Sequence, residues 1–69
     1  MRVIRRDQWI CWVCGVRTIK RPGRNYHPLA AEVDHVVRLS DGGAHSERNM
    51  RCSCARCNRI RNGRRNLEE

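Results

Sequence analysis

The sequence predicts a small α+β domain held together by bound metal rather than by a large apolar core. Three observations lead there. The chain has 69 residues, no Phe, and only Trp9, Trp12 and Tyr26 as aromatics, too little apolar material to offset about 1.5 kcal/mol of conformational entropy per ordered residue unaided. Four of its five cysteines form two Cys-x-x-Cys pairs, Cys11/Cys14 and Cys54/Cys57, spaced as two knuckles that each give two thiolates to one tetrahedral zinc. Between the pairs, Ala31 to Val37 is rich in β-branched residues, as a short, partly buried strand requires.

Disulfides are the competing use of cysteine in a small chain. Against them stand the odd cysteine count and a beginning, Met1 to Arg6, with no apolar run suited to a secretory signal. The expected setting is therefore the cytoplasm, with no membrane segment and one domain spanning residues 1–69. A structural zinc held by Cys11, Cys14, Cys54 and Cys57 would bring an apparent free energy of about 10–16 kcal/mol, the range of zinc-finger peptides, enough to decide folding. Cys52 lies outside both knuckles and reads as a small buried apolar residue.

Taken in order, Val3 to Trp9 suits a short helical turn leading into the first knuckle. In that knuckle Gly15 permits the tight turn that aims amides at sulfur, and Trp12 and Val13 pack against the metal module. Arg17 to Pro28 is a basic connection with a Pro22-Gly23 turn signal; it is equally a phosphate-contacting segment or a solvated loop, and His27 within it has no partner at ligand spacing. The strand follows, then a loop from Arg38 to Arg48 with Gly42-Gly43 as its sharpest turn. Asn49 to Cys52 returns as a second strand, making a hairpin with a long connection. From Asn58 a short helix is expected to end near Gly63, with Arg61 and Arg65 four apart on one face.

The net charge is +8, and Lys20 is the only lysine. An arginine fork matches phosphate oxygens, so this balance points to a nucleic-acid backbone more than to a diffuse solvated face. Asp34 and His35 are the costly residues of the strand. A carboxylate beside an imidazole supplies a hard oxygen ligand for a divalent cation and a base that titrates near neutrality. Side chains alternate along a regular strand, so the two share one site only if the strand twists, bulges or ends at this pair.

Arg6-Asp7 ahead of Cys11-x-x-Cys14-Gly15, then Glu32-Val33-Asp34-His35-Val36, Leu39-Ser40-x-Gly42-Gly43, Asn49-Met50 and Cys54-x-x-Cys57-Asn58, form an ordered set that resembles the HNH endonuclease family. Either knuckle alone is a weak signal; the set covers most of the chain. The resemblance implies a ββα-metal (His-Me finger) fold and metal-dependent hydrolysis of a phosphodiester in double-stranded DNA, branched DNA included. It implies His35 as general base, Asp34 and Asn58 as ligands of a catalytic Mg²⁺ or Mn²⁺, and Asn49 as the residue that ties the hairpin loop and fixes the His35 backbone or ring. Arg38, Arg59, Arg61, Arg64 and Arg65 are the expected phosphate contacts.

Asn58 stands where many relatives carry their last His, an H-N-N variant whose amide oxygen can still bind a hard cation. Arg38 replaces a common proline, and His45 reads as a solvated loop residue. One site per chain implies nicking by a monomer or weak dimer, and such short chains resemble phage or prophage proteins, some of which work with DNA-packaging machinery. The rival from another class is a zinc-ribbon module that binds nucleic acid without cutting it.

Overall fold

The computed structural model describes residues 2–68, with side chains described for residues 2–62. Its centre is an antiparallel hairpin of β1 (Ala31–His35) and β2 (Met50–Cys54), in register from Ala31 opposite Cys54 to His35 opposite Met50. α1 (Arg2–Arg6) precedes the hairpin and α2 (Ala55–Glu68) follows β2 without a break. This is the small α+β, strand-strand-helix arrangement expected from the sequence.

β1 ends at His35, two residues short of the predicted Val37, and the chain bends at Val36 and Val37. The long connection is closed by Asn49. Its Oδ1 accepts the Val37 N–H at 2.9 Å, and its Nδ2 donates to the carbonyls of Val37 and Ala44, each at 2.8 Å. One amide thus satisfies three backbone groups at the point where the ladder has stopped supplying partners. Gly43 is required for a different reason: a Cβ there would overlap the Val37 and Arg38 carbonyls.

α1 buries Val3 and Ile4 and ends through two left-handed residues, Gln8 at φ 56° and Trp9 at φ 63°. Left-handed backbone in a bulky residue costs about 1–2 kcal/mol. The turn persists because the Trp9 carbonyl accepts from both the backbone N–H and the Oγ1 of Thr18, each at 2.7 Å. Arg6 and Asp7 then fasten this turn to β2. Asp7 Oδ2 accepts the Cys52 N–H at 2.8 Å, while Arg6 grips Asp7 and donates to the carbonyls of Glu47 and Met50 at 2.8 and 2.5 Å.

The core is made of small residues. Among the described residues, Val3, Ile4, Cys11, Ala30, Cys52, Cys54 and Ala55 are its buried apolar members, and the bulkiest wholly enclosed side chains are cysteines. Cys52 is among them, with no exposure, as its reading as a buried apolar residue required.

α2 begins at Ala55, three residues before the predicted start at Asn58, and runs through Gly63 instead of ending there. Its first amides explain the early start: Ala55 N–H bonds the Ala30 carbonyl, Arg56 N–H bonds the Pro28 carbonyl, and Cys57 N–H points to Cys54 Sγ at 3.4 Å. These caps come from a distant segment and from a sulfur, which local helix-start rules do not register. No helix among the described residues is long and apolar enough to cross a membrane.

Asp7 gives this architecture a measurable dependence on pH. The Arg6 guanidinium holds the Asp7 carboxyl below its usual range against the opposing effect of burial, and the Cys52 N–H adds to the lowering. A carboxylate with a lowered folded-state value contributes stability above its unfolded pKa of about 3.9, and loses it as pH falls through the folded value. Asp7→Ala should therefore destabilise the protein by about 1–3 kcal/mol at pH 7, read by denaturant unfolding. The gap from wild type should shrink below about pH 4, as the wild-type Asp7 carboxylate is protonated and loses the advantage that the alanine variant never had.

Candidate functional site

The sulfurs of Cys11, Cys14, Cys54 and Cys57 all lie within 4.8 Å of one another, and Cys14 Sγ is 3.9 Å from Cys54 Sγ. Four thiolates at a Zn–S distance of about 2.3 Å stand about 3.8 Å apart at the corners of a tetrahedron. The four cysteines are thus positioned to bind one metal ion. The first knuckle turns at Gly15, whose φ of +79° lets its N–H reach the Cys11 carbonyl at 2.9 Å. The second straddles the β2–α2 junction, so Cys54 sits at the positive end of a helix, where a thiolate is favoured.

The acidities of these thiols suit a cation site. Burial pushes Cys11 up, but the backbone groups of Cys14, Cys54 and Val13 outweigh it and hold the thiol at about 6. Burial pushes Cys54 and Cys57 the other way; the neighbouring sulfurs add to this at Cys57, whereas at Cys54 the Cys57 N–H and thiol oppose it and Cys11 adds to it. One anion alone therefore disfavours the next, and a dication at the centre removes that conflict. Cys52 stays outside the group, beside Thr18 Oγ1 at 3.7 Å.

The face of β1 toward α2 carries Glu32 and Asp34. Asn58, on the first turns of α2, donates from Nδ2 to Glu32 Oε1 at 2.7 Å and accepts on Oδ1 from Asn62 at 2.8 Å. Asp34, only 4 % exposed, accepts from the Trp12 indole at 3.0 Å and lies 2.9 Å from Arg61 Nε. That guanidinium also stacks over the Trp12 ring, 4.7 Å from its centroid. Its Nη2 reaches the carbonyls of His35 and Val36 at 3.4 and 3.3 Å. The Nε–H itself has no hydrogen-bond partner although the atom is buried. The contact with Asp34 is close in distance but poorly aimed, so its attraction is mainly Coulombic.

His35 faces elsewhere. Its Nε2 is 3.4 Å from Nδ1 of His45, with the rings stacked at 5.5 Å between centroids and 23° between planes. Val3, Val33 and Met50 line the open concavity beside the two rings. The irregularity expected at the Asp34-His35 pair is absent: both residues lie in regular register, opposite Arg51 and Met50, without a bulge, so the alternation of the strand sends their side chains to different faces. The two side chains are left with separate neighbours, and Arg61 runs from Asp34 to the strand end where His35 sits.

The predicted residues are therefore only partly gathered. Asp34 and Asn58 share the β1–α2 face, His35 flanks its end, and Asn49 ties the loop, through Val37 and not through His35. Of the expected phosphate contacts, Arg38 donates to the Arg61 carbonyl at 2.8 Å and stands 3.9 Å from Asp41. Arg59 lies over Tyr26 at 4.0 Å, Arg61 is turned inward, and the side chains of Arg64 and Arg65 lie outside the described residues. His27 accepts the Leu29 N–H at 3.1 Å, a turn contact. Glu32 is the site residue that sequence reasoning missed, and the contact of His45 with His35 is a neighbouring feature that it also missed. Period-two alternation is the signal that could have put Glu32 on the Asp34 face, whereas nothing in the sequence pairs His45 with His35.

A family model described as HNH endonuclease matches residues 11–64, from the first cysteine into α2. Neither a curated protein nor a solved structure matches the chain significantly.

The sulfur geometry makes a direct demand on metal content. Cys14→Ala should release the metal and unfold the protein, whereas Cys52→Ala should keep one equivalent and lose stability only through its cavity. Elemental analysis after dialysis, together with far-ultraviolet circular dichroism, distinguishes the two.

Proposed function

The chain belongs to the HNH endonuclease family, and from this premise we propose that it is a metal-dependent DNA endonuclease whose four-cysteine centre holds a structural zinc. The observation that carries the reading is the buried Asp34 carboxylate of β1, with Asn58 and Glu32 on its own face, while His35 follows it at the strand end on the other face. Two carboxylates and an amide oxygen are hard donors of the kind Mg²⁺ and Mn²⁺ take. The fit rests on Arg61 as well. Its Nε is buried 2.9 Å from Asp34 without a hydrogen bond, so the carboxylate keeps lone pairs that a metal ion would take, while Arg61 stays fastened to the strand-end carbonyls and to Trp12.

Asp34 and Asn58 would hold that ion, which when bound supplies stabilisation of the charge developing on the scissile phosphate and its leaving oxygen. His35, at the strand end, accepts a proton from the attacking water; an imidazole suits this because its ordinary pKa lies near the working pH. Asn49 fixes the Val37 backbone beside it. Arg38, Arg59 and the arginines of α2 give the surface its attraction for phosphates, in keeping with a net charge of +8. One such site per chain cuts one strand at a time, so a monomer or weak dimer yields nicked DNA.

The Arg61–Asp34 contact favours one second reading, a zinc module that binds DNA without cutting it, because a carboxylate already neutralised within the chain has less need of a metal. Supercoiled plasmid with Mg²⁺ or Mn²⁺ separates the two. Wild type should produce nicked circles, and His35→Ala should slow this by about 10²–10⁴-fold, the usual contribution of a general base, with binding in gel shift unchanged. Binding by wild type without metal-dependent cleavage would favour the module.

A further inference from the structure

The His35–His45 pair is unused by the function proposed above except through His35 alone. We propose that these two imidazoles form a second metal site, one that takes zinc or a similar borderline transition-metal ion and, when filled, withdraws His35 from base duty. The first half of this stands on the geometry; the second rests on the role given to His35 under Proposed function.

The separation of 3.4 Å between His35 Nε2 and His45 Nδ1 is long for a hydrogen bond between ring nitrogens. It is the natural bite of two metal ligands. Nitrogens each about 2.0–2.1 Å from a tetrahedral zinc stand about 3.3–3.4 Å apart. Both lone pairs are available when the ring protons sit on His35 Nδ1 and His45 Nε2, so binding needs neutral imidazoles and no covalent change.

The pair is also held in place before any ion arrives. His35 is the last residue of the ladder, opposite Met50. His45 follows Ala44, whose carbonyl is bound by the Asn49 side chain at 2.8 Å, so the loop that brings it is tied at its neighbour. Ordering cost is thereby reduced at both ligands.

Ligand softness selects the ion. Imidazole suits zinc, copper and nickel, whereas Mg²⁺ prefers oxygen and keeps its waters. The site is thus complementary to the oxygen-donor face of Asp34, Glu32 and Asn58 and does not compete with it for the same ion. Among the described residues the four cysteines form the only group of three or more side chains within mutual ligand reach. The histidine pair would be completed by water, which makes it weaker and more exchangeable than the cysteine centre. Glu47, on the same concavity, carries a carboxylate whose ion pair with the exposed Arg2 at 3.4 Å is easily given up. It offsets part of the repulsion that a +8 chain presents to a cation.

The test uses the full chain with its cysteine centre loaded with zinc, then titrated with further zinc alone. Equilibrium dialysis should give a second zinc per wild-type chain, and nitrogen-detected nuclear magnetic resonance should show the His35 and His45 ring signals shifting together while those of His27 stay fixed. Outer partners of metal ligands already change affinity by about 10–100-fold, so His45→Ala, which removes a ligand outright, should weaken the second zinc by about a hundredfold or more. As the second zinc binds, Mg²⁺-supported cleavage by wild type should fall, and cleavage by His45→Ala should persist at the same zinc concentration. One zinc per wild-type chain, or an equally tight second zinc in His45→Ala, overturns the site. A second zinc that leaves wild-type cleavage unchanged overturns its inhibitory role. Should wild type not cleave with Mg²⁺ at all, the failure belongs to the nuclease reading, and stoichiometry and ring shifts still decide whether the site exists.

Discussion

Four sulfurs meeting at one point are the constraint on which the rest of this small protein depends. They join a knuckle near the beginning of the chain to a knuckle on the strand-helix junction, and no large apolar core would do so in their place. The consequences reach the functional face directly. Cys54 closes the first turn of α2 through its sulfur, so the metal centre sets where that helix begins and hence where Asn58, one residue past Cys57, must stand. From the other knuckle, Trp12 donates its indole N–H to Asp34. The structural centre therefore grips the candidate functional face at both edges.

Asp34 shows the electrostatic balance on that face. A buried carboxylate needs compensation, and the chain provides an indole donor and a guanidinium. Pairs of this kind are weak as sources of stability, because desolvation offsets most of the Coulombic gain. Their value lies elsewhere. The Asp34 carboxylate is fixed by the Trp12 indole, and Arg61 lies beside it by charge more than by a directed bond to it.

Much of this was legible in the sequence because the signals were local or rested on fixed spacing. The two knuckles follow from Cys-x-x-Cys intervals, β1 from its valines, and the unusual standing of Asp34 and His35 from charge inside a strand-forming run. Asn49 was assigned to the hairpin loop, and it closes that loop through its side-chain amide. What escaped depended on tertiary partners. The early start of α2 needs carbonyls from Pro28 and Ala30, the inward turn of Arg61 needs Asp34 and Trp12, and the approach of His45 to His35 needs a loop whose path is set by Asn49 and Gly43. Counting arginines revealed the sign of the surface but not which guanidinium would be spent inside it.

The separation of the knuckles along the chain also has a kinetic meaning. The hairpin, its tied loop and the second knuckle are neighbours in sequence, whereas Cys14 and Cys54 are 40 residues apart. Closing so long a loop is entropically uphill and comes after local pairing. A half-ligated ion on Cys54 and Cys57 would then wait on a formed hairpin for the first knuckle to arrive. Since that knuckle also brings Trp12 to Asp34, the step that completes the metal centre is the same step that completes the functional face, and a chain arrested before it carries neither.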